Sequence, residues 1–228
     1  MKKSFNSLLR SALRLNWPYS GRDEFQGRGV PSSVLVLFGW DQPDRDREVG
    51  SDGASLLFIR RAEGPGLHAG QMAFPGGRSE PADLDDVRVT ALREAQEEVG
   101  VAPELVEVIG ELPPVLTPTS FRIHPVVGAL QIPRSALALQ PDPSEVAEAI
   151  WIPFSALSRG EIFRQGVPLS EVLGEARWSA EMTHGLGGRG LESRVTDVFQ
   201  VDQYCIWGAT AAMTKNLLER IQASGSAS

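Results

Sequence analysis

The segment from residue 76 to residue 101 constrains the fold more than any other part of the chain. It begins with the turn Gly76-Gly77 and continues into a pattern typical of an amphipathic helix. From residue 83 to 99 the apolar residues recur at spacings of three and four, which predicts a helix with one buried side. Gly100 follows the last of them and is a typical helix terminator. The apolar stripe consists of Leu84, Val87, Ala91, Leu92, Ala95 and Val99.

Three glutamates lie on the opposite side of this predicted helix. Glu94, Glu97 and Glu98 are spaced i, i+3 and i+4, so their carboxylates share one face. Like charges at this spacing destabilise a helix by roughly 0.2–0.5 kcal/mol per pair. Two interpretations follow: a solvated charged face, which three glutamates alone favour, or a site for hard divalent cations, which prefer oxygen ligands. The Gly76-Gly77 turn would let backbone carbonyls approach such a cation closely.

The rest of the chain alternates between strand and helix patterns. Residues 32–38 and 54–60 predict two strands, and the polar segment between them predicts a hairpin with a long loop. Because a hairpin is antiparallel, a mixed sheet between helices fits better than a purely parallel one. Further strands are predicted near 106–112, 123–130, 149–154 and 195–201, a short helix at 144–148 with Ser144 as N-cap, and a closing helix at 209–221.

Composition narrows the class without giving a function. The 228 residues carry a net charge of −7, although the first twenty residues contain four basic side chains and no acid. An acidic body argues against sequence-independent nucleic-acid binding, which needs a basic face. The longest apolar runs are far shorter than the ~20 residues that span a bilayer. One cysteine, Cys205, excludes an intrachain disulfide and fits a reducing compartment.

We expect a single main domain with decorations. Residues 1–28 form an N-terminal extension, whose apolar spacing predicts an amphipathic helix docked on the domain. Its basic composition superficially resembles a mitochondrial presequence. The expected location is the cytoplasm, with a mitochondrion as the alternative if the source is eukaryotic. The main domain covers residues 29–222, with an insertion at 158–195, and residues 223–228 are expected to be a flexible tail.

Residues 93–101 resemble the core of the Nudix box, Arg-Glu-apolar-x-Glu-Glu-x-Gly-apolar. The usual box has a glycine fourteen residues before the arginine and a glutamate eight before it. Here Gly77 precedes Arg93 by sixteen residues, and Asp85 stands at the acidic position. The resemblance implies the fold of that family, an α/β/α sandwich with a mixed sheet, and a hydrolase that uses Mg²⁺ or Mn²⁺ to cut a diphosphate bond.

The resemblance also implies roles for individual residues. Glu94 and Glu98 would be the main metal ligands, Glu97 would bind or adjust a further metal, and Gly76 would offer its carbonyl. Arg93 would orient the glutamates through charge-assisted hydrogen bonds. The general base that helps to deprotonate the attacking water differs among relatives. Three candidates stay open at this point: Glu94, Glu97 and Glu145, the last of which has the alternative role of capping its short helix.

The segments around the box resemble the coenzyme A-type branch of this family, whose members split coenzyme A into 3′,5′-ADP and 4′-phosphopantetheine. The resemblance covers about residues 30–157 and 200–220. Its motifs are Leu57–Ala62, His68–Gln71, Phe74–Gly77, Gly110–Pro114, Thr117-Pro118, Phe121-Arg122, Pro125–Gly128, Glu145-Val146 and Ile206–Thr210. Two positions depart from that signature: Ile59 stands in place of threonine and Gly66 in place of a basic residue.

Four residues are predicted to bind the substrate: Arg60, Arg61, His68 and Phe74. Arginine matches the geometry of phosphate, so the two arginines and His68 are candidate contacts for the additional phosphate of coenzyme A. The alternatives are that the arginines only border an exposed strand end and that His68 only orders its loop. The insertion, with Trp178, Met182 and His184, is either decorative or a substrate lid or dimer arm.

Other functions compete with hydrolysis of coenzyme A or an acyl-CoA. The same chemistry would serve ADP-ribose, NADH, a nucleoside triphosphate or another nucleotide. A non-catalytic Nudix-fold module that binds a ligand is a second class, but it predicts a damaged glutamate cluster, and all three glutamates are present. The expected partner is a small-molecule nucleotide rather than a nucleic acid or a membrane, and a homodimer is one option for the assembly.

Overall fold

The computed structural model describes residues 5–14, 29–41, 53–64, 68–173 and 194–226. Its helices are α1 (Phe5–Arg14), α2 (Val87–Val99), α3 (Phe154–Leu157) and α4 (Gly208–Ser226). Its strands are β1 (Val30–Trp40), β2 (Ala54–Arg61), β3 (Met72–Ala73), β4 (Gly76–Arg78), β5 (Val106–Glu111), β6 (Val115–Leu116), β7 (Phe121–Leu130), β8 (Val146–Pro153), β9 (Phe163–Pro168), β10 (Val195–Val201) and β11 (Tyr204–Trp207).

The main sheet is mixed, as the sequence predicts. Its path runs β3-β2-β1-β7-β5, and β4, β6 and β8 pair with β1, β7 and β2 respectively. Strand β1 is parallel to β7 and antiparallel to both β2 and β4. The predicted hairpin of the first two strands is therefore confirmed, and β1 lies at the centre of the domain.

Strand β1 divides its side chains between two hydrophobic cores. Val34, Val36 and Phe38 pack on one side of the sheet with α4, and Leu35 and Leu37 pack on the other side with α2. This alternation is the two-residue period of a strand that is covered on both faces. The layers are thus helix, sheet and helix, which confirms the predicted α/β/α sandwich.

A second, antiparallel sheet of order β11-β10-β9 lies beside α4. Strand β9 falls inside the predicted insertion, and its Phe163 packs on Phe199 of β10 with ring centroids 4.9 Å apart. Val167 and Leu169 are buried. The described part of the segment 158–195 is therefore part of the packed domain and not a decoration. Trp178, Met182 and His184 lie outside the described residues.

The N-terminal helix docks on the domain, as predicted. Leu9 and Ala12 are fully buried and belong to the core shared with α4. Arg10 pairs with Glu107 of β5 at 2.6 Å, and the buried Arg220 of α4 donates a hydrogen bond to the carbonyl of Ala12. Within the described residues, no helix is both long and apolar enough to cross a membrane.

Two predicted helices are wrong in extent or type. The closing helix continues to Ser226, and Ser224 is buried, so residues 223–226 belong to α4 rather than to a flexible tail. Residues 144–148 are a turn followed by the start of β8. The Asp142 carboxylate accepts hydrogen bonds from the backbone N–H and the hydroxyl of Ser144, which stabilises a turn instead of a helix start.

The helix predicted at 83–99 starts later than expected, at Val87. A 3₁₀ turn covers Pro81–Asp83, and Leu84 and Asp85 then adopt left-handed backbone conformations with φ of 53° and 60°. Helix α2 starts only after Asp86, whose side chain accepts a hydrogen bond from the N–H of Arg88. Leu84 is 86% exposed and does not belong to the apolar stripe.

Candidate functional site

Gly76 and Gly77 lie in strand β4, where close packing on both sides leaves no room for a side chain. Gly76 has a φ of +156°, and a Cβ there would overlap the backbone of Ser33 and Val34 on the neighbouring strand. A Cβ on Gly77 would collide with the carboxylate of Glu94. The two glycines therefore let β4 lie against β1 while α2 brings Glu94 directly onto β4.

Arg93 is the most highly connected side chain of the site. Its Nε and one terminal nitrogen form a two-point contact with the carboxylate of Asp83 at 2.9 and 3.0 Å, and the same terminal nitrogen also donates to the carbonyl of Arg78 at 3.0 Å. Asp83 further accepts hydrogen bonds from the Thr90 hydroxyl and the Glu80 N–H. The Arg93 guanidinium lowers the pKa of Asp83 to about 2, so this pair is ionised over the whole physiological range.

The anchor of Arg93 corrects an expectation from residue spacing. Asp85 stands eight residues before Arg93, where the box has its glutamate, but Asp83 makes the contact and is only 1% exposed. The left-handed pair Leu84-Asp85 lies between Asp83 and the helix. The two-residue insertion therefore lies between Asp83 and Arg93 and not between Gly77 and Asp83.

The same guanidinium reaches two of the three glutamates. One terminal nitrogen of Arg93 donates to Glu97 at 2.8 Å, and the other lies 3.1 Å from Glu94. These contacts raise the pKa of Arg93 further above its ordinary value, with the hydrogen bonds to Asp83 as the largest cause. The predicted role of Arg93 in orienting the glutamates agrees with this geometry.

Glu98 is buried, so the alternative of a solvated charged face does not apply to this residue. Its side chain is 3% exposed, accepts a hydrogen bond from the N–H of Gly76 at 2.8 Å and lies 3.8 Å from Arg61. Burial raises its pKa to about 7, and the Gly76 hydrogen bond and Arg61 only partly oppose this. Gly76, the first residue of β4, covers this position of the helix, which the helical pattern alone does not reveal.

Glu94 and Glu145 lie near Glu98 and add to the negative charge. Burial raises the pKa of Glu94, and the charges of Glu97 and Glu145 act in the same direction. Glu145 occupies the turn before β8, where its carbonyl accepts a hydrogen bond from the N–H of Ala62. Pairing of β8 with β2 therefore brings Glu145 to the helix, although the predicted helical setting of this residue is wrong.

These residues line one cavity of about 710 Å³. Nine of the ten predicted site residues line it: Arg61, His68, Phe74, Gly76, Arg93, Glu94, Glu97, Glu98 and Glu145. His68 is held by a contact of its Nδ1 with Gln71 at 3.1 Å. Phe74 is almost fully buried and stacks on Phe58 with ring centroids 4.6 Å apart, so it supports the floor of the cavity more than it offers an exposed surface.

Arg60 does not line the cavity. Its side chain points to the other side of β2, where it pairs with Glu148 at 3.5 Å and Glu63 at 3.6 Å. Glu148 also accepts a hydrogen bond from the hydroxyl of Tyr204 in the second sheet. This placement argues against the predicted phosphate contact and makes Arg60 a link between β2, β8 and β11.

The wall opposite the glutamates was not predicted as part of the site. It is formed by the second sheet, the start of α4 and the loop before β7; it combines apolar side chains with threonines and one arginine, and we call it the apolar wall. Its side chains come from Thr117, Pro118, Thr119, Leu169, Arg194, Val195, Thr196, Trp207, Thr210 and Met213. The only sequence signals for it are the motifs Thr117-Pro118 and Ile206–Thr210, which carry the resemblance to the coenzyme A-type branch but indicate no position in space.

The donor set fits a divalent metal in its chemistry. A buried carboxylate with a raised pKa, surrounded by two further carboxylates, lacks positive charge that a hard cation would supply. Among the described side chains, no group of three or more His, Cys, Asp or Glu residues is gathered around a common metal position. Arg93 contacts both Glu94 and Glu97, so a metal would have to compete with this guanidinium for their oxygens.

Comparison with known proteins found a matching family, related sequences and solved structures that this chain resembles. The family described as NUDIX domain matches residues 48–172. An uncharacterized Nudix hydrolase, NudL, from Photorhabdus laumondii is 36% identical over 170 residues, which cover 74% of this chain and 78% of the relative. NudL from Klebsiella pneumoniae is 36% identical over 193 residues, or 80% and 88% of the two chains. A solved MutT/nudix family protein from Enterococcus faecalis has a TM-score of 0.44 and 14% identity, and the match covers 87% of this chain and 62% of that one.

The fold is an α/β/α sandwich with an arginine-anchored glutamate helix, and the chain belongs to the Nudix hydrolase family. It is therefore an enzyme that cleaves the diphosphate bond of a nucleotide derivative. Nudix hydrolases generally use divalent metal ions for this reaction.

Proposed function

We propose that the substrate is coenzyme A or an acyl-CoA, which the enzyme cleaves to 3′,5′-ADP and 4′-phosphopantetheine or its acyl derivative. The observation that carries the proposal is the division of the cavity into a carboxylate wall and an apolar wall. A diphosphate needs the first wall, and a long pantetheine arm with an acyl group needs the second. A volume of about 710 Å³ is large enough to hold a ligand of this kind in part.

Glu94, Glu97, Glu98 and the carbonyl of Gly76 are the groups that would hold Mg²⁺ or Mn²⁺. When bound, such a cation would offset the charge of the diphosphate and lower the pKa of a water ligand. The protein's own contribution is to place the carboxylates. Asp83 fixes Arg93, and Arg93 in turn holds Glu94 and Glu97 within reach of the cavity.

Glu145 is the best candidate for the general base. Its carboxylate lines the cavity, and among the described residues no cation pairs with it. Glu97, in contrast, is bound to Arg93 at 2.8 Å, and Glu94 lies in contact with the same guanidinium. A base must be free to accept a proton from water within hydrogen-bond reach, which favours Glu145 over both.

Arg61 and His68 are the proposed contacts for substrate phosphate on the carboxylate side. Both line the cavity, and Arg61 lies 3.8 Å from Glu98, so its guanidinium is directed at the place where a diphosphate would meet the glutamates. A fork-shaped guanidinium offers paired donors to phosphate oxygens.

The test is a product assay with purified protein, Mg²⁺ or Mn²⁺ and coenzyme A, with ADP-ribose and NADH in parallel. We expect 3′,5′-ADP and 4′-phosphopantetheine, with coenzyme A turned over faster than the other two compounds. Faster turnover of ADP-ribose or NADH would keep the hydrolase and overturn the substrate. Absence of turnover for all three, with retained binding of a nucleotide, would favour a ligand-binding module.

A further inference from the structure

Four arginines line the cavity: Arg61, Arg78, Arg93 and Arg194. Arg93 is bound to carboxylates, Arg61 lies beside Glu98, and the guanidinium of Arg78 lies over the ring of Phe121 at 5.0 Å. For Arg194 the described part of the chain provides no hydrogen bond or ion pair to the side chain. In a protein with a net charge of −7, an arginine that lines a substrate cavity and has no carboxylate partner among the described residues can bind an anionic group of the substrate.

The backbone of Arg194 is fixed although its side chain is exposed. Its carbonyl accepts a hydrogen bond from the N–H of Leu169 at 3.0 Å. The next two residues pair with β9, Val195 opposite Pro168 and Thr196 opposite Val167. The Arg194 side chain therefore extends from a backbone that is fixed by strand pairing. It lies at the rim of the cavity, on the apolar wall and not on the carboxylate wall.

We infer that Arg194 binds a phosphate monoester of the substrate that is separate from the diphosphate under attack. The inference rests on the proposed function, because coenzyme A carries such a group, the 3′-phosphate on its ribose. The cleaved diphosphate belongs at Glu94 and Glu98 on one wall, and a second phosphate joined through a ribose needs a cation elsewhere. Arg194 places a cation on the opposite wall.

A guanidinium suits this task better than the other groups of that wall. It is always charged and offers paired N–H donors that match the oxygens of a phosphate monoester. Thr196, the nearest polar neighbour along the strand, already accepts a hydrogen bond from the N–H of Gly208. Arg194 would therefore decide between substrates with and without the extra phosphate, and it would do so without taking part in bond cleavage.

The experiment compares coenzyme A with 3′-dephospho-coenzyme A as substrates of the wild type and of Arg194→Ala. We expect the variant to raise KM for coenzyme A by about 10-fold, with kcat and the KM for the dephospho compound changed by less than about twofold. Arg194→Lys should recover part of the preference, because it keeps the charge and loses the fork. Equal losses for both substrates, or no loss for either, would overturn the inference.

Arg164→Ala is the matched control. Arg164 lies on β9 of the same sheet, is paired with Glu171 at 2.7 Å and does not line the cavity, so its removal should change neither KM. If the wild type cleaves neither compound, the proposed function fails and the subsite is judged by binding instead. Isothermal titration should then show tighter binding of 3′,5′-ADP than of 5′-AMP to the wild type and not to Arg194→Ala; equal affinity for the two nucleotides would reject the subsite.

Discussion

The two walls of the cavity are built on different principles. The carboxylate wall, formed by α2, β4 and the turn before β8, is a network in which Arg93 alone contacts Asp83, Glu94, Glu97 and a backbone carbonyl. The apolar wall, formed by β9, β10, β11 and the start of α4, presents side chains such as Leu169, Trp207 and Met213. Fixed charges at defined distances serve bond cleavage, whereas an apolar surface serves the selection of a substrate arm.

The largest effect should come from Glu98 on the carboxylate wall. Glu98→Gln keeps the shape of the side chain and an acceptor for the N–H of Gly76, but it removes the charge that a metal ligand needs. We expect kcat to fall by roughly 10²–10⁴-fold with the fold retained, measured as product formation with saturating Mg²⁺. Glu104→Gln, at an exposed residue outside the cavity, should be silent. Unchanged turnover in Glu98→Gln would remove this residue from the mechanism.

The same variant should stabilise the metal-free protein. The pKa of Glu98 is raised in the folded state to about 7, so its contribution to stability is fully present below about pH 4.5 and is lost as the pH rises through 7. In the presence of a chelator, Glu98→Gln should therefore unfold like the wild type at pH 5 and exceed it by about 1–3 kcal/mol at pH 8. Urea denaturation at the two pH values measures this, and equal stability at pH 8 would contradict it.

A smaller loss should follow from the anchor of Arg93. Asp83→Asn weakens the hold on Arg93, so Glu94 and Glu97 lose their support, and we expect kcat to fall by about 10–100-fold. The depressed pKa of Asp83 means that its stabilising effect is present above about pH 4 and is lost as the pH falls through 2. The destabilisation of Asp83→Asn, on the order of 1–2 kcal/mol at pH 7, should therefore shrink toward pH 2.

Asp85→Asn is the matched control for this anchor. Asp85 occupies the position that residue counting assigns to the box, but the structure places its backbone in a left-handed turn between Asp83 and α2. We expect activity within about twofold of the wild type, since an exposed carboxylate contributes little. A larger loss in Asp85→Asn than in Asp83→Asn would reverse the assignment of the anchor.

On the apolar wall, substitution should change KM more than kcat. Trp207→Leu reduces the surface offered to the substrate arm, and we expect KM for coenzyme A to rise about 3–10-fold with kcat nearly unchanged. Cys205→Ser, on the same strand but not lining the cavity, is the control. Steady-state kinetics distinguish the two constants, and a fall in kcat with constant KM would assign Trp207 to the chemistry instead.

The smallest effect should distinguish two neighbouring arginines. Arg61 lines the cavity beside Glu98, whereas Arg60 pairs with Glu63 and Glu148 on the other side of β2. Arg60→Ala should change KM for coenzyme A by no more than about twofold, because partly exposed ion pairs contribute about 0–1 kcal/mol. Arg61→Ala should raise it by more. Equal effects in the same assay would restore Arg60 as a substrate contact.

The same division explains what the sequence could predict. The carboxylate wall is encoded in one continuous segment, so the spacing of Glu94, Glu97 and Glu98 predicts the helix and its chemistry. The burial of Glu98 could not be predicted, because it depends on its contact with Gly76 of β4, which a helical pattern does not include. Asp83 was missed because counting along the chain cannot reveal two left-handed residues that are not glycine.

The apolar wall depends on contacts between distant segments. Residues 163–168 pair with 195–201 across a long segment, and α4 adds Thr210 and Met213 from further along the chain. Its motif at 206–210 could be matched to relatives, but no local pattern places it opposite α2. The turn at Ser144 and Glu145 was mistaken for a helix because pairing of β8 with β2 outweighs a weak local preference.

Strand β1 gives the two walls a common mechanical support. Its alternate side chains belong to the core beneath α2 and to the core beneath α4. Because both cores pack on the same strand, we expect the two layers to exchange their amide hydrogens as one cooperative unit. A ligand that binds only one layer would then slow hydrogen exchange in the other layer as well. Substrate binding would therefore stabilise both walls of the cavity together.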